Sequence, residues 1–208
     1  MLAGLPGLIL GLTFGCTRAD VDVPMVDVID AAPAEITPLG FALDGTGRVT
    51  ASWRAADGWA STEAAIEVAE ASADIRTGSD GAVSIDDLRM RFAGVPLGDG
   101  VGALELADVE LTLVRPVELE GAVWDGVGLL AAAEGQIDLD LHWALAAGDD
   151  QLPLAPQTIT GVALRVGLRR RGERWTTTLV LTRDGPAWSW GELIELSDLR
   201  IDVHGAGE

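Results

Sequence analysis

The chain has 208 residues, with 33 acidic against 14 basic side chains and a net charge of −19. So strong a negative charge argues against nucleic acids and anionic lipid surfaces as broad partners, because both repel it. The chain has a single cysteine, which excludes an internal disulfide.

An uncharged apolar run covers residues 2–14 and ends just before Cys16. The run is shorter than the about 20 residues that a membrane-spanning helix needs, but its length suits the apolar region of a secretory signal. The segment resembles a bacterial lipoprotein signal peptide, in which the residue after a small Gly or Ala is the lipidated cysteine. LTFGC matches that pattern at Gly15 and Cys16. The resemblance implies lipidation at Cys16; the alternatives are a buried N-terminal strand with an inert cysteine, or a plain signal cleaved near Gly15.

The next segment, residues 16–35, is rich in acidic residues and contains two prolines. Parts of it alternate as a strand does, but proline and charge favour a mobile spacer over a paired strand. We therefore predict an acidic tether here.

From about Ile36 onward, apolar and polar residues alternate with a period of two, as in half-buried strands. In TITGVALRVGLRR, for example, Val162, Leu164 and Val166 share one face. Gly and Asp-Gly pairs separate such runs, as hairpin turns require. The segment 61–75 is rich in Ala and Glu and is ambiguous, but its alternation favours a strand over a helix. The sequence thus predicts an all-β domain over residues 36–208 with little helix, forming an antiparallel sandwich or a curved open sheet with a groove.

A weak internal repeat runs through this domain, with the pattern apolar, any, Asp or Gly, then alternating apolar residues. Its four copies are IDDLRMRF (85–92), LADVELTL (106–113), ITGVALRV (159–166) and LSDLRIDV (196–203). The first step in each copy is three residues, so side chains before and after it cannot share a face of an unbroken strand. The pattern therefore predicts a β-bulge or kink at the Asp or Gly, with the apolar residues that follow it facing the core.

Runs such as GALELADVELTLVRP and GELIELSDLRIDVHGAG resemble the β-repeats of the AsmA-like family of bacterial envelope proteins. The resemblance implies a curved, groove-shaped sheet associated with lipid handling between membranes. It supplies no functional residue, and family members are generally longer and carry an N-terminal transmembrane helix.

The sequence offers few groups for chemistry. It lacks the serine-hydrolase, zinc-protease, phosphate-loop and CxxC motifs. Asp138, Asp140 and His142 share one strand face and could contribute to a metal site, but alternation on a solvated face explains them better. We therefore expect no enzyme activity, no metal and no cofactor.

Two features could bind a ligand. Arg165, Arg169, Arg170, Arg171 and Arg174 gather around one predicted hairpin and could hold a phosphate or carboxylate, although protection of a sheet edge or pairing with the chain's own acids is the alternative. Apolar residues of two other segments could line an opening for an apolar or lipid ligand, or could simply belong to the core: Leu129, Leu130, Trp188 and Trp190.

Together these patterns divide the chain into a signal peptide (1–15), an acidic tether (16–35) and one β domain (36–208). They predict a non-catalytic lipoprotein of the bacterial cell envelope, anchored through Cys16, that binds an apolar or lipid ligand in a β-groove. The alternative is a structural or protein-interaction lipoprotein with a closed core and no small-molecule ligand. An envelope protein is a possible partner in either case.

Overall fold

The computed structural model describes residues 39–55, 57–77, 82–97, 104–124 and 130–207. The predicted signal peptide and tether lie outside these residues. The described ranges form eleven strands: β1 (Leu39–Ala55), β2 (Gly58–Thr77), β3 (Val83–Phe92), β4 (Val95–Leu97), β5 (Leu104–Leu113), β6 (Val117–Trp124), β7 (Leu130–Ala147), β8 (Asp150–Pro153), β9 (Gln157–Arg171), β10 (Arg174–Trp190) and β11 (Ile194–Gly207). The all-β prediction is confirmed, including the strand predicted over 61–75, which lies within β2.

The strands close into an eight-stranded antiparallel barrel. β5 and β6 both run antiparallel to β3 and to β7, and together they fill one position in the ring. Around the ring the order is β1, β2, β3, β5 with β6, β7, β9, β10 and β11, and β11 pairs again with β1. The short β4 and β8 pair with β5 and β7.

The prediction of a sandwich or an open groove was therefore wrong, and so was the groove implied by the AsmA-like resemblance. The pairing of Phe41 with Gly207 joins the first and last strands, so the ring has no free edge there. Closure satisfies the backbone groups that an open sheet would expose at its edges.

The two ends of the barrel are distinct. We call one the terminal end, because β1 starts there at Leu39 and β11 ends there at Gly207; it also carries the β9–β10 turn at residues 172–173. We call the other the tryptophan end; it carries the turns around residues 57 and 191–193, together with β4 and β8.

The interior is filled by the apolar residues of the alternating pattern. Phe41, Ile75, Leu88, Leu164 and Leu181 are among the large side chains that are almost fully buried, and the buried set forms one continuous core. The polar residues between them point outward, as in any barrel whose strands alternate between inside and outside.

The predicted kink occurs in all four copies of the repeat, because in each copy one strand has an extra residue relative to its partner. In β5, β9 and β11 the extra residue lies at Asp108, Gly161 and Asp198, which all have a positive φ of 50–65°. In β3 the shift falls at Asp86, beside the predicted Asp87.

Each bulge resets the alternation, so that apolar residues on both sides of it face inward. The predicted inward set after the kinks is buried in the structure, with Leu113 partly buried: Leu88, Met90, Phe92, Val109, Leu111, Leu113, Val162, Leu164, Val166, Leu199, Ile201 and Val203. The predicted register is therefore confirmed.

Two of these bulges are held by a hydrogen bond between a carboxylate on one strand and a backbone N–H on the neighbouring strand. The backbone N–H of Gly161 donates to Asp138 on β7 at 3.0 Å, and the N–H of Gly185 on β10 donates to Asp198 on β11 at 2.9 Å. A charged acceptor makes such a hydrogen bond stronger than a neutral pair. Acidic residues of the strand pattern thus stabilise two of the four points where the barrel wall bends.

Glycines allow the first and last strands to approach closely. A Cβ added at Gly205 would overlap the carbonyl oxygen of Ala42 and lie 3.0 Å from its carbonyl carbon. A Cβ at Gly47 would lie 2.8 Å from the carbonyl oxygen of Arg200. Side chains at these positions would therefore push β1 and β11 apart.

Candidate functional sites

An apolar cavity lies in the barrel interior near the tryptophan end. Its volume is about 40 Å³, and its walls include Phe92, Leu106, Leu141, Ile159 and Trp188. For comparison, an apolar protein cavity of about 150 Å³ stays dry and binds one benzene molecule. The space is therefore smaller than any lipid chain and fits no more than a small apolar group.

The predicted ligand residues do not gather around this cavity. Trp188 lines it and is buried, while Trp190 is half-buried against the core at the same end. The backbone of Leu130 pairs with Arg169 at the terminal end, on the opposite side of the molecule. Leu129 lies outside the described residues.

A second tryptophan, which the sequence interpretation missed, packs against Trp188. The Trp143 and Trp188 rings meet edge to face, with centroids 3.9 Å apart and planes at 82°. Both indole Nε1 atoms are buried and have no hydrogen-bond partner among the described residues, which is an unfavourable arrangement for a polar group. Trp143 continues the inward alternation of Leu139 and Leu141, so the period of two would have identified it as a core residue.

A different surface is formed by the basic hairpin of β9 and β10. Arg165 lies within the barrel wall and pairs with Glu134 at 2.9 Å. Arg170 lies at the terminal end, where its guanidinium is 5.6 Å from the centre of the Trp175 ring and its Nε donates to the carbonyl of Gly172. Both arginines therefore have structural contacts that hold them against the barrel.

The other three arginines of the hairpin have no ion pair among the described residues. Arg169, Arg171 and Arg174 are all exposed, and Arg171 stands directly opposite Arg174 in the strand register. Like charges placed opposite each other across two strands are destabilising. The hairpin therefore concentrates positive charge at a cost to the stability of the strand pair.

Arginines elsewhere on the barrel wall are mostly paired with acids. Arg48 pairs with Glu63, Arg76 with Asp86, Arg89 with Glu110, Arg91 with Glu70, and Arg200 with Asp202. The hydrogen bond from Arg200 to Asp202, together with charge attraction, raises the pKa of the Arg200 guanidinium. In a chain so rich in acids, the hairpin stands out as a local positive patch.

Two of the three residues considered as metal ligands, Asp138 and Asp140, make hydrogen bonds within the sheet. Asp138 accepts the N–H of Gly161 at the bulge, and Asp140 accepts a hydrogen bond from the Thr158 hydroxyl at 2.6 Å. Within the described ranges, no group of three or more His, Cys, Asp or Glu side chains is arranged to hold a metal ion.

Exposed apolar side chains occur at the tryptophan end. Trp59 and Leu193 are each about half exposed, and both lie next to Arg54: Trp59 pairs with it in the sheet, and the carbonyl of Leu193 accepts its N–H at 2.8 Å. Leu152 on β8 is similarly exposed. Exposed apolar groups that lie together commonly mark interaction surfaces.

The lipidation residue, Cys16, lies outside the described residues. Over the part of the chain that the structure describes, no helix has the length and apolarity to cross a bilayer. Comparison with protein-family models, with curated proteins and with solved structures finds no match to this chain.

Proposed function

We propose that this chain is a non-catalytic lipoprotein of the bacterial cell envelope, anchored through Cys16, whose closed barrel serves as a structural or protein-binding module. The observation that carries the choice between the two candidate functions is the filled interior. Large side chains pack the barrel, and the remaining cavity of about 40 Å³ has no room for a lipid chain. The barrel surface, rather than its interior, is then the part that meets other molecules.

The proposed anchor rests on the sequence around Cys16 and is tested there. Cys16 is the single cysteine of the chain, so an alkyne-tagged fatty acid that becomes attached to a thiol of this protein must be attached at Cys16. We expect the wild-type protein to carry the label and to fractionate with membranes, and Cys16→Ser to lose both properties. A Cys16→Ser protein that remains in the membrane fraction unchanged would contradict the anchor.

The closed-core function is tested with a fluorescent fatty acid. We expect no saturable binding to the folded protein and no quenching of tryptophan fluorescence. A Leu141→Ala variant tests the size of the interior separately, because Leu141 lines the cavity and its truncation enlarges the space. That variant should bind xenon more strongly than the wild-type protein does, while still failing to bind the fatty acid.

The second candidate, binding of an apolar ligand, is favoured by one observation. The cavity is lined by apolar side chains and includes Trp188, whose indole would report on an occupant. Saturable binding of the fatty acid with quenching of Trp188 would support this candidate and contradict the closed-core function.

A further inference from the structure

The arginine hairpin, which we define as Arg169, Arg170, Arg171 and Arg174, lies at the same end of the barrel as the start of β1. The strand register connects the two directly, because Phe41 pairs with Gly207, Gly207 with Trp175, and Trp175 with Arg170. β1 and β10 are therefore two strand spacings apart, or about 10 Å. The chain enters the barrel beside its most concentrated positive charge.

The same end of the barrel is the one nearest in sequence to the proposed anchor. Residues 17–38 separate Cys16 from Leu39, so an anchor at Cys16 holds the barrel through the strand that starts at its terminal end. β9 has 15 residues, so the tilted barrel is about 40 Å long. The attachment point is therefore at the terminal end, about 40 Å from the tryptophan end, and a further contact is needed to fix the orientation of the barrel.

We propose that the arginine hairpin binds the anionic headgroups of the membrane that holds the anchored chain and so fixes the orientation of the barrel. This inference rests on the proposed lipid anchor. Guanidinium groups bind phosphate oxygens bidentately, and basic residues close to an anionic bilayer are attracted to its surface. Three exposed guanidiniums without a described ion pair are available for this contact.

The negative charge of the whole chain does not prevent such contact. At physiological ionic strength charges are screened over about 8 Å, so a headgroup beside the hairpin is attracted by its four guanidiniums, is repelled by the one carboxylate of the turn, Glu173, and is scarcely affected by carboxylates elsewhere on the barrel. The same screening predicts that the contact weakens in high salt. The tryptophan end carries no comparable cluster among the described residues.

The experiment measures which end of the barrel meets the bilayer. Full-length lipidated protein carries one introduced thiol, either Glu173→Cys in the β9–β10 turn or Asp57→Cys in the turn at the tryptophan end, and each thiol is labelled with a fluorophore. The protein is reconstituted into vesicles of phosphatidylcholine alone or with about one third phosphatidylglycerol, both containing a headgroup-attached nitroxide quencher. The protein without an introduced cysteine reveals whether Cys16 is blocked, because an unmodified Cys16 would take the label.

We expect the label at residue 173 to be quenched in the anionic vesicles, less in neutral vesicles and less in high salt, while the label at residue 57 stays unquenched. Replacing Arg169, Arg171 and Arg174 by Gln should reduce the quenching at residue 173 to the level at residue 57. The charge-matched control replaces three arginines of the barrel wall, Arg48, Arg89 and Arg91, by Gln and should leave the quenching unchanged.

Equal quenching at both positions, or equal effects of the two triple variants, would overturn the proposal. Labelling of Cys16 itself would instead contradict the lipid anchor, so the two failures are distinguishable. If the hairpin serves only to pair with the chain's own acids, the hairpin variant will lose stability without any change in quenching, and that result also overturns the proposal.

Discussion

The closure of the barrel between β1 and β11 is tested most directly by Gly205→Ala. A Cβ at this position would overlap the carbonyl oxygen of Ala42 and lie 2.8 Å from Cδ2 of Leu43. Because carbon atoms pack at about 3.5–4.0 Å, the two strands must separate by roughly 1 Å to accommodate the methyl group. The overlap is with backbone, so a rotamer change cannot relieve it.

The magnitude follows from two contributions. Forcing an extra methyl group into a packed site costs about 1–3 kcal/mol, and each weakened ladder hydrogen bond costs about 1 kcal/mol. We therefore expect Gly205→Ala to lower the free energy of unfolding by about 3 kcal/mol. That is a large share of the about 5–15 kcal/mol that stabilises a typical domain.

The assay is urea unfolding of the full chain followed by tryptophan fluorescence. Gly40→Ala is the matched control on β1, because its Cβ would lie 3.4 Å from the Asp74 carboxylate, an ordinary contact, and its φ is not positive. We expect this control to be neutral or slightly stabilising, since glycine weakens a strand by about 0.5–1 kcal/mol relative to alanine. Equal stability of the two variants would refute the account of closure.

Three further outcomes are expected. Leu164→Ala should lower the free energy of unfolding by about 2–5 kcal/mol through lost burial and a residual cavity. Leu193 is about half exposed, so Leu193→Ala should change that free energy by less than about 0.5 kcal/mol, and equal effects would contradict the assigned interior. Asp198→Ala should lower the free energy of unfolding in urea by about 1–3 kcal/mol, because alanine disfavours the backbone φ of 52° and the N–H of Gly185 loses its acceptor. Asp198→Asn should retain most of that stability. Cys16→Ala should move the protein out of the membrane fraction, and a protein that stays there would contradict the anchor.

The sequence predicted the strands and their bends because these depend on local order. Alternation in β9 places Val162, Leu164 and Val166 on the buried face, and it does so regardless of which strands pair with β9. The three-residue step before Val162 could not fit an unbroken strand, so the bulge at Gly161 followed from sequence spacing alone.

The closing of the barrel and the absence of an open groove could not be predicted from local alternation. Pairing of Phe41 with Gly207 joins distant parts of the chain, and alternation is the same for a strand at an open edge as for one in a closed ring. The expected groove failed for the same reason. Apolar segments around Leu130 and Trp188 looked alike in sequence, but strand direction places them at opposite ends of the barrel.

The pairing of β1 with β11 also bears on the order in which the barrel can form. The ring cannot close until β11, which includes Gly207, has been synthesised, although its partner β1 starts at Leu39. Contacts between residues so far apart in sequence form slowly, because the chain between them must be ordered before they contribute stability. Closure of the ring is therefore a late event in folding, and the strands between β1 and β11 are paired before the first and last strands meet.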